Sequence, residues 1–372
     1  MVMTVLHILL AVVALWLISG TLLNLSKHPH WYIRLWDFGR LYAAALALAT
    51  IIPYAILFRG QWYDWLMIAG LVFVMLRQLY MIFPYMPIAP KKVKRSDKPP
   101  GDESFRLIIS NVLQENEQYD LWLKVVRDSD PDVIVAVEVD AKWDAATRVL
   151  ERDYPHVVRQ VQDNYYGMVL YSRLAFEGQP EVRNLVQDDV PSIHATLLLR
   201  DGKRVRLHAL HPRPPEPFND QDSAPRDAEL VLVGREIAEH ERGIATVVCG
   251  DLNDVAWSYT TQLFLRLSRL LDPRMGRGLY NSFNAKSHVF KFPLDHVFHS
   301  DEFKLIDLQV LPYVGSDHYP MLIALSCQPE AAREVQPETA SKAEDHEEAE
   351  EIIEQQVERD DTGDRAEIKK EA

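Results

Sequence analysis

The sequence predicts an α/β domain of two packed sheets with helices outside, preceded by three transmembrane helices. Three observations carry that reading. Apolar stretches of near-spanning length fill the first 85 residues. Short β-branched runs then recur from Phe105 to Leu325, with segments of helical spacing between them. Beyond residue 327, Glu and Asp crowd the chain and aromatics are absent.

The apolar stretches are residues 4–25, 41–58 and 65–85. Each approaches the roughly 20 residues needed to cross a hydrocarbon core. Trp16, Trp31, Trp36, Trp62, Tyr63 and Trp65 lie mostly near their ends, as interfacial aromatics do. Residues 1–85 are therefore expected to be a membrane anchor. The first stretch lacks the basic start and small-residue cleavage site of a signal peptide. Lys27, Arg34 and Arg40 follow the first stretch, and Lys91, Lys92, Lys94, Arg95 and Lys98 follow the third. Only Arg59 lies on the other side. The positive-inside bias thus predicts an integral, multi-pass protein with everything after residue 85 in the cytoplasm. Residues 86–103 hold Pro87, Pro90, Pro99, Pro100 and Gly101 and are expected to form a basic, Pro-rich linker. Its lysines also suit anionic headgroups.

In residues 104–327, strands are expected at 106–112, 132–139, 168–171, 194–199, 204–210, 245–249, 296–299, 305–311 and 320–325. Residues 118–128 place Leu121, Trp122, Val125 and Val126 on one helical face, and residues 226–242 do the same with Leu230, Val233, Ile237 and Ala238. A third helix is expected at 258–271. Short strands with a few helices suggest two sheets packed together with helices outside. Residues 328–372 cannot bury enough apolar surface to offset chain entropy and are expected to be disordered. A transient helix at 347–357 is compatible with that.

Charge is uneven. Residues 1–100 are net +7, residues 101–327 net −11 and residues 328–372 net −10. Cys249 and Cys327 sit in or beside apolar runs. Two cysteines exclude a disulfide framework and a thiolate zinc cluster, and both read as buried thiols.

Several strands end in polar residues. Gly250-Asp251-Leu252-Asn253 follows a buried run. The spacing by two aims Asp251 and Asn253 toward one side in extended chain, where they can orient a water and donate to a phosphate oxygen. A turn with a helix cap is the competing reading. Glu138 ends an apolar run, so it must be paired, bound to a cation or exposed. Asn111 ends another run and offers a neutral oxygen. Hard cations of the magnesium type choose such ligands. His318, beside Asp317 in Gly315-Ser316-Asp317-His318, is a candidate general acid or base. Asp295 is its natural orienting partner. His211 leads into Pro212-Arg213-Pro214-Pro215, and a proline-stiffened loop there would hold His211 and Arg213 near a phosphate. His194, His208, His296 and His299 read as structural.

These motifs, in this order, resemble the endonuclease/exonuclease/phosphatase superfamily over about residues 104–327. Gly250-Asp251-Leu252-Asn253 and Ser316-Asp317-His318 are the most specific matches. Val139 after the glutamate and Tyr319 after the last motif depart from the common pattern without removing a ligand. The resemblance implies a four-layer α/β sandwich with the site at one end of the paired sheets. It implies Asn111 and Glu138 as ligands of Mg2+ or Mn2+, with Asp317 near the ion. Asp251 and Asn253 would handle the water and the phosphate, and His318 with Asp295 would be the catalytic couple. His211 would be a second active-site histidine, and residues 168–173 a structural segment.

The expected activity is a membrane-anchored, divalent-metal-dependent phosphodiesterase, a hydrolase with a phosphate-ester substrate. The acidic domain argues against duplex DNA, whose binding usually needs a basic face. Arg266, Arg269, Arg274 and Arg277 are the candidate local patch. Lipid-derived or small phosphodiesters rank slightly above nucleic acid. A DNA or RNA nuclease, a silent membrane scaffold and an acidic tail recruiting a basic protein partner stand as alternatives.

Overall fold

A computed structural model of the chain describes residues 1–215, 222–241, 243–329 and 341–362. Four helices open the chain: α1 (Val2–Asn24), α2 (Trp31–Phe38), α3 (Arg40–Ile56) and α4 (Trp62–Ile82). α1 and the run Trp62–Tyr85 that contains α4 are long and apolar enough to cross a membrane. α2 and α3 form a bent pair, at 76°, that counts as a third candidate. Leu9, Trp16, Ile52 and Leu66 of these helices point outward. Polar groups turn inward instead. Arg40 bonds Asp37, Gln78 and Asn24 in the interior.

Eleven strands follow among the described residues. β1 (Ser104–Asn111), β2 (Val133–Val137), β3 (His156–Gln160), β4 (Met168–Ser172), β10 (Phe303–Val310) and β11 (Met321–Cys327) form one sheet, in the order β10-β11-β1-β2-β4-β3. β5 (Glu181–Arg183), β6 (Ser192–Leu198), β7 (Arg204–Leu210), β8 (Ala245–Asp251) and β9 (Asp295–His299) form the second, in that order. Both sheets are mixed. β1 runs parallel to β2, and β7 to β8, because α5 (Tyr119–Ser129) and α7 (Ala224–His240) supply the crossovers that parallel neighbours require.

Side chains alternate across each strand. Leu107, Ile109, Val133, Val135, Leu207, Ala209, Val247 and Cys249 meet between the sheets. On the other face of the first sheet, Ile108 and Ile134 pack under Trp122 of α5 and Trp143 of α6 (Ala141–Thr147). On the second sheet, Val248 and Phe298 pack under Leu230 and Val233 of α7 and Phe264 of α8 (Tyr259–Ser268). The result is the expected four-layer α/β sandwich. Both cysteines are buried thiols.

Some segments differ from expectation. β3 and β5 are edge strands, half-buried or exposed, and so carry no clean alternation. Residues 86–103 are not a free linker. Val93 is buried in the main core, and Arg95 bridges to Leu305 on the edge strand β10. The acidic segment is corrected in part: residues Ala343–Thr362 form a helix, α9. Ala349, Ile352 and Ile353 make one apolar face that covers Val231, Leu263 and Leu267. Asp345 pairs with Arg266 at 2.9 Å, and Glu348 with Lys27 at 3.0 Å. Three residues sufficed because α7 and α8 left an apolar groove for them. The rest of the segment, 330–340 and 363–372, lies outside the described residues. Truncation after residue 329 is expected to lower stability by roughly 2–4 kcal/mol, the worth of a few apolar side chains returned to water. Chemical denaturation of full-length and truncated protein in detergent checks this.

Candidate active site

The strand phase that builds the core also builds the site. Leu107 and Ile109 face the other sheet, so Asn111 at the end of β1 faces it too. Leu207 and Ala209 set the same phase for His211, Val247 and Cys249 for Asp251, and Val297 for Asp295. Register aligns these ends. Asn111 pairs with Val137, Leu210 with Gly250, and Asp251 with Asp295. Polar side chains from both sheets therefore converge in one buried cluster at one end of the sandwich.

Asn111 Nδ2 donates to Glu138 Oε1 at 2.6 Å and to Asp251 Oδ2 at 3.0 Å. Its Oδ1 accepts from the Leu113 amide. His318 Nδ1 donates to Asp295 Oδ2 at 2.7 Å, and its Nε2 lies 3.5 Å from Asp251 Oδ2. His211 Nε2 lies 3.9 Å from the same oxygen, and its Nδ1 is buried with no hydrogen-bond partner among the described residues. Asn111, Glu138, His211, Asp251, Asp295 and His318 are thus brought together. Asp317 is half-buried; its carboxylate meets the Ser316 hydroxyl at 3.4 Å.

Asn253 departs from the extended geometry expected of it. β8 ends at Asp251, and Asn253 turns to φ 51°, a region that Asn tolerates better than most residues. Its amide NH accepts no role in a strand but donates to Asp251 Oδ1 at 3.0 Å. Its side chain donates to the Pro212 carbonyl at 3.0 Å, tying the His211 loop to Asp251. Glu138 also sits at positive φ, 65°. Two such residues in one site are strain that the surrounding fold must hold. Gly250 explains itself sterically, since a Cβ there would lie 1.8 Å from the Leu210 carbonyl oxygen. Gly250→Ala is expected to separate β7 from β8 and cost about 3 kcal/mol or more, read as a lost or broadened melting transition.

Electrostatics gives the two histidines opposite characters. Burial alone disfavours the His318 imidazolium, but Asp251, Asp295 and Asp317 outweigh it and hold its pKa up at about 10. Burial, with His318 nearby, pushes His211 down to about 4 against the pull of Asp251. Burial raises Glu138 to about 7, and Asp251 adds to the rise. Asp251 is itself raised by burial and by Asp295.

Asp251, Asp295 and His318 offer ligand atoms within 4.8 Å of one another. The hydrogen bond between His318 and Asp295 occupies that couple, so the better cation position is on the Glu138 side. There the buried Asp251 and the half-buried Glu138 share the amide donor of Asn111, and their mutual repulsion is what a divalent cation would relieve. The donor set is hard oxygen and fits such an ion. Asn111 turns its NH2 toward the carboxylates, so ligation through its oxygen requires the amide to turn end for end.

Three of the four arginines grouped as a possible phosphate patch are engaged within the protein. Arg274 is buried against Asp272, Arg266 pairs with Asp345, and Arg277 donates to the Val93 carbonyl. Arg213 pairs with Asp189 and lies over Tyr166. His194 and His208 bond each other, His194 also bonds Ser192 and His208 bonds Glu241, and His296 bonds Arg274 and the Asp254 carbonyl, as structural histidines do. Residues the sequence did not single out are Arg226 and Asp254. Arg226 donates to the Asn253 carbonyl at 2.7 Å, and no spacing signal precedes it.

No curated protein matches the chain. Among solved structures, an endonuclease/exonuclease/phosphatase family protein from Bacteroides thetaiotaomicron is similar at 18% identity and TM-score 0.50, covering 62% of this chain and 97% of that one. TDP2 of D. rerio, complexed with a single-strand DNA product, is similar at 15% identity and TM-score 0.50, covering 60% and 99%. Sphingomyelinase C from Streptomyces griseocarneus is similar at 15% identity and TM-score 0.44, covering 61% and 99%. At these identities the likeness concerns the fold. A family model matches residues 106–318, more than half the chain and every polar strand end in the cluster, and the chain belongs to the Endonuclease/Exonuclease/phosphatase family.

Proposed function

We propose that the protein is a membrane-anchored, divalent-metal-dependent phosphodiesterase whose substrate lies at the membrane surface. The observation that carries the chemistry is the convergence of Asn111, His211, Asp251 and the His318–Asp295 couple, all buried, with the half-buried Glu138. Glu138 and Asn111, with Asp317 alongside, would hold Mg2+ or Mn2+, which neutralises phosphate charge and stabilises a leaving oxygen. Asp251 orients the attacking water and accepts its proton. His318, held cationic by Asp295 and Asp251, donates to the phosphate and then to the leaving group. His211, held neutral by burial, offers its unpartnered Nδ1 side to a phosphate oxygen. Asn253 fixes the His211 loop through Pro212. Two histidines tuned apart divide the work of one site.

The loop 283–292 supports a lipid-borne substrate. Its base touches the site, where the Phe283 ring lies 4.9 Å from that of His318. Its tip reaches the start of α3. Tyr42 OH donates to the Val289 carbonyl at 2.6 Å and accepts from the Lys291 amide at 3.0 Å. Val289 and Phe290 at that tip are 65% and 59% exposed. Exposed apolar side chains beside an apolar helix suit the bilayer interface. The first 85 residues would then anchor the domain on the cytoplasmic side, at the level where a phosphodiester headgroup lies.

The test is turnover of a phospholipid phosphodiester by full-length protein in nanodiscs, against Phe290→Ser. Loss of about tenfold on the lipid, with bis-p-nitrophenyl phosphate hydrolysis unchanged, is the expected result for an interfacial contact of one or two apolar side chains. Equal loss on both substrates, or faster cleavage of single-stranded DNA than of lipid, would favour the nuclease reading.

A further inference from the structure

We propose that Arg34 of α2 is a positioning residue for the catalytic loop, so that the juxtamembrane helix is a working part of the site. This rests on the phosphodiesterase reading above. A chain of buried contacts makes the link. Arg34 Nη2 bonds Asp227 Oδ2 at 2.9 Å. The other oxygen of Asp227 accepts from Arg226 Nε at 3.1 Å and Nη2 at 2.9 Å. Arg226 Nη1 then donates to the backbone carbonyl of Asn253 at 2.7 Å, and its Nη2 lies 3.4 Å from Asp254 Oδ2. Asp254 in turn accepts from Ser258 Oγ at 2.6 Å. All four charged side chains are buried.

The quartet is two arginines against two aspartates. With Arg34 present, Asp227 divides its charge between two guanidinium groups and Asp254 retains its share of Arg226. Without Arg34, Arg226 alone faces two buried aspartates, and Asp227 Oδ2 keeps only the Ser223 hydroxyl at 2.9 Å. Arg226, which already bonds Asp227 Oδ1, is then drawn toward the vacated Oδ2 and away from the carbonyl of Asn253. That carbonyl belongs to a residue already held at φ 51°, where loss of one restraint lets the backbone relax.

The same loop is gripped elsewhere by the anchor. Trp257 Nε1 donates to the Asp37 carbonyl at 2.7 Å, and Tyr85 OH to the Ala256 carbonyl at 2.7 Å. The Ser223 amide, at the head of α7, donates to the Pro29 carbonyl at 3.0 Å. The first two contacts hold Trp257 and Ala256 of that loop against residues 1–85, and the third holds the head of α7 there. Arg34 is the one that reaches Asn253 through charge.

The experiment compares full-length wild type, Arg34→Met and Arg34→Lys in detergent micelles by amide hydrogen exchange and by steady-state hydrolysis of bis-p-nitrophenyl phosphate. Arg34→Met should speed exchange across residues 252–258 by about tenfold while β1 and β2 stay protected. It should lower kcat by about tenfold with KM unchanged, as expected for misplacing a group that acts in the transition state. Arg34→Lys keeps the charge without the fork, and should recover most of both losses. If Arg34→Met does not fold, a smaller change of the same sign in Arg34→Lys upholds the proposal. Unchanged exchange at 252–258 in a folded variant, or altered exchange with wild-type kcat, overturns it. A wild type that exchanges as expected but does not turn over would sink the phosphodiesterase reading, while the exchange result still decides the link.

Discussion

Asp251→Asn is expected to abolish turnover and to raise the melting temperature. The loss follows from position. Asp251 is the one carboxylate that faces Asn111, His318 and His211 together. Removing a proton acceptor from that centre costs about 10³-fold or more in kcat. The gain follows from linkage. Burial and Asp295 raise the Asp251 pKa above its unfolded value. A carboxyl raised on folding is penalised whenever the solution pH exceeds its unfolded pKa, because the folded state must then ionise a group it prefers neutral. At neutral pH the isosteric amide removes that penalty. Activity and thermal stability should therefore move in opposite directions, which a merely structural role for Asp251 would not produce.

Removal of divalent metal is expected to have the second largest effect. EDTA should bring turnover to background, and added Mg2+ or Mn2+ should restore it. The ion should also raise the melting temperature of wild type but not of Glu138→Ala, since binding to the folded state alone stabilises it. The pH dependence has a definite sign. Glu138 is held up to about 7 by burial and by Asp251, so protons and the cation compete for it. Below about pH 7 the proton wins, and affinity should fall about tenfold per unit. Above that range affinity should level off. Isothermal titration in two buffers of different ionisation enthalpy reads the released proton directly.

Much of this site was legible in the sequence because strand ends obey the strand's own period. Asn111, His211 and Asp251 stand in phase with the inward residues before them and Asp295 with Val297 after it, and the site lies where those phases meet. Glu138 was visible as a carboxylate ending an apolar run. Asn253 was found for the wrong geometric reason. Spacing by two implies extended chain, and the chain turns at Leu252–Asn253 instead. Arg34, Arg226 and Asp254 were not legible as a group. Their partnership depends on how α2 meets the head of α7, a tertiary contact that no local pattern encodes. The helix at Ala343–Thr362 was hidden for a similar reason. Its composition is that of a solvated segment, and only the groove between α7 and α8 gives Ala349, Ile352 and Ile353 something to cover.

The proposed preference for a small anionic headgroup over a polyanion rests on where the arginines are engaged. The arginines nearest in sequence to one another serve Asp272, Asp345 and main-chain carbonyls, not an open basic face. Duplex binding draws much of its affinity from such faces. On the proposed function, a surface-bound substrate would need no long electrostatic track, because membrane anchoring would supply proximity.

The most direct measurement is hydrolysis of bis-p-nitrophenyl phosphate by the full-length protein in detergent, with Mg2+ or Mn2+, with EDTA, and with Asp251→Asn alongside. The account predicts metal-dependent turnover that both EDTA and the substitution abolish. Turnover that survives either one, or a folded wild type that neither turns over nor binds metal, would contradict it.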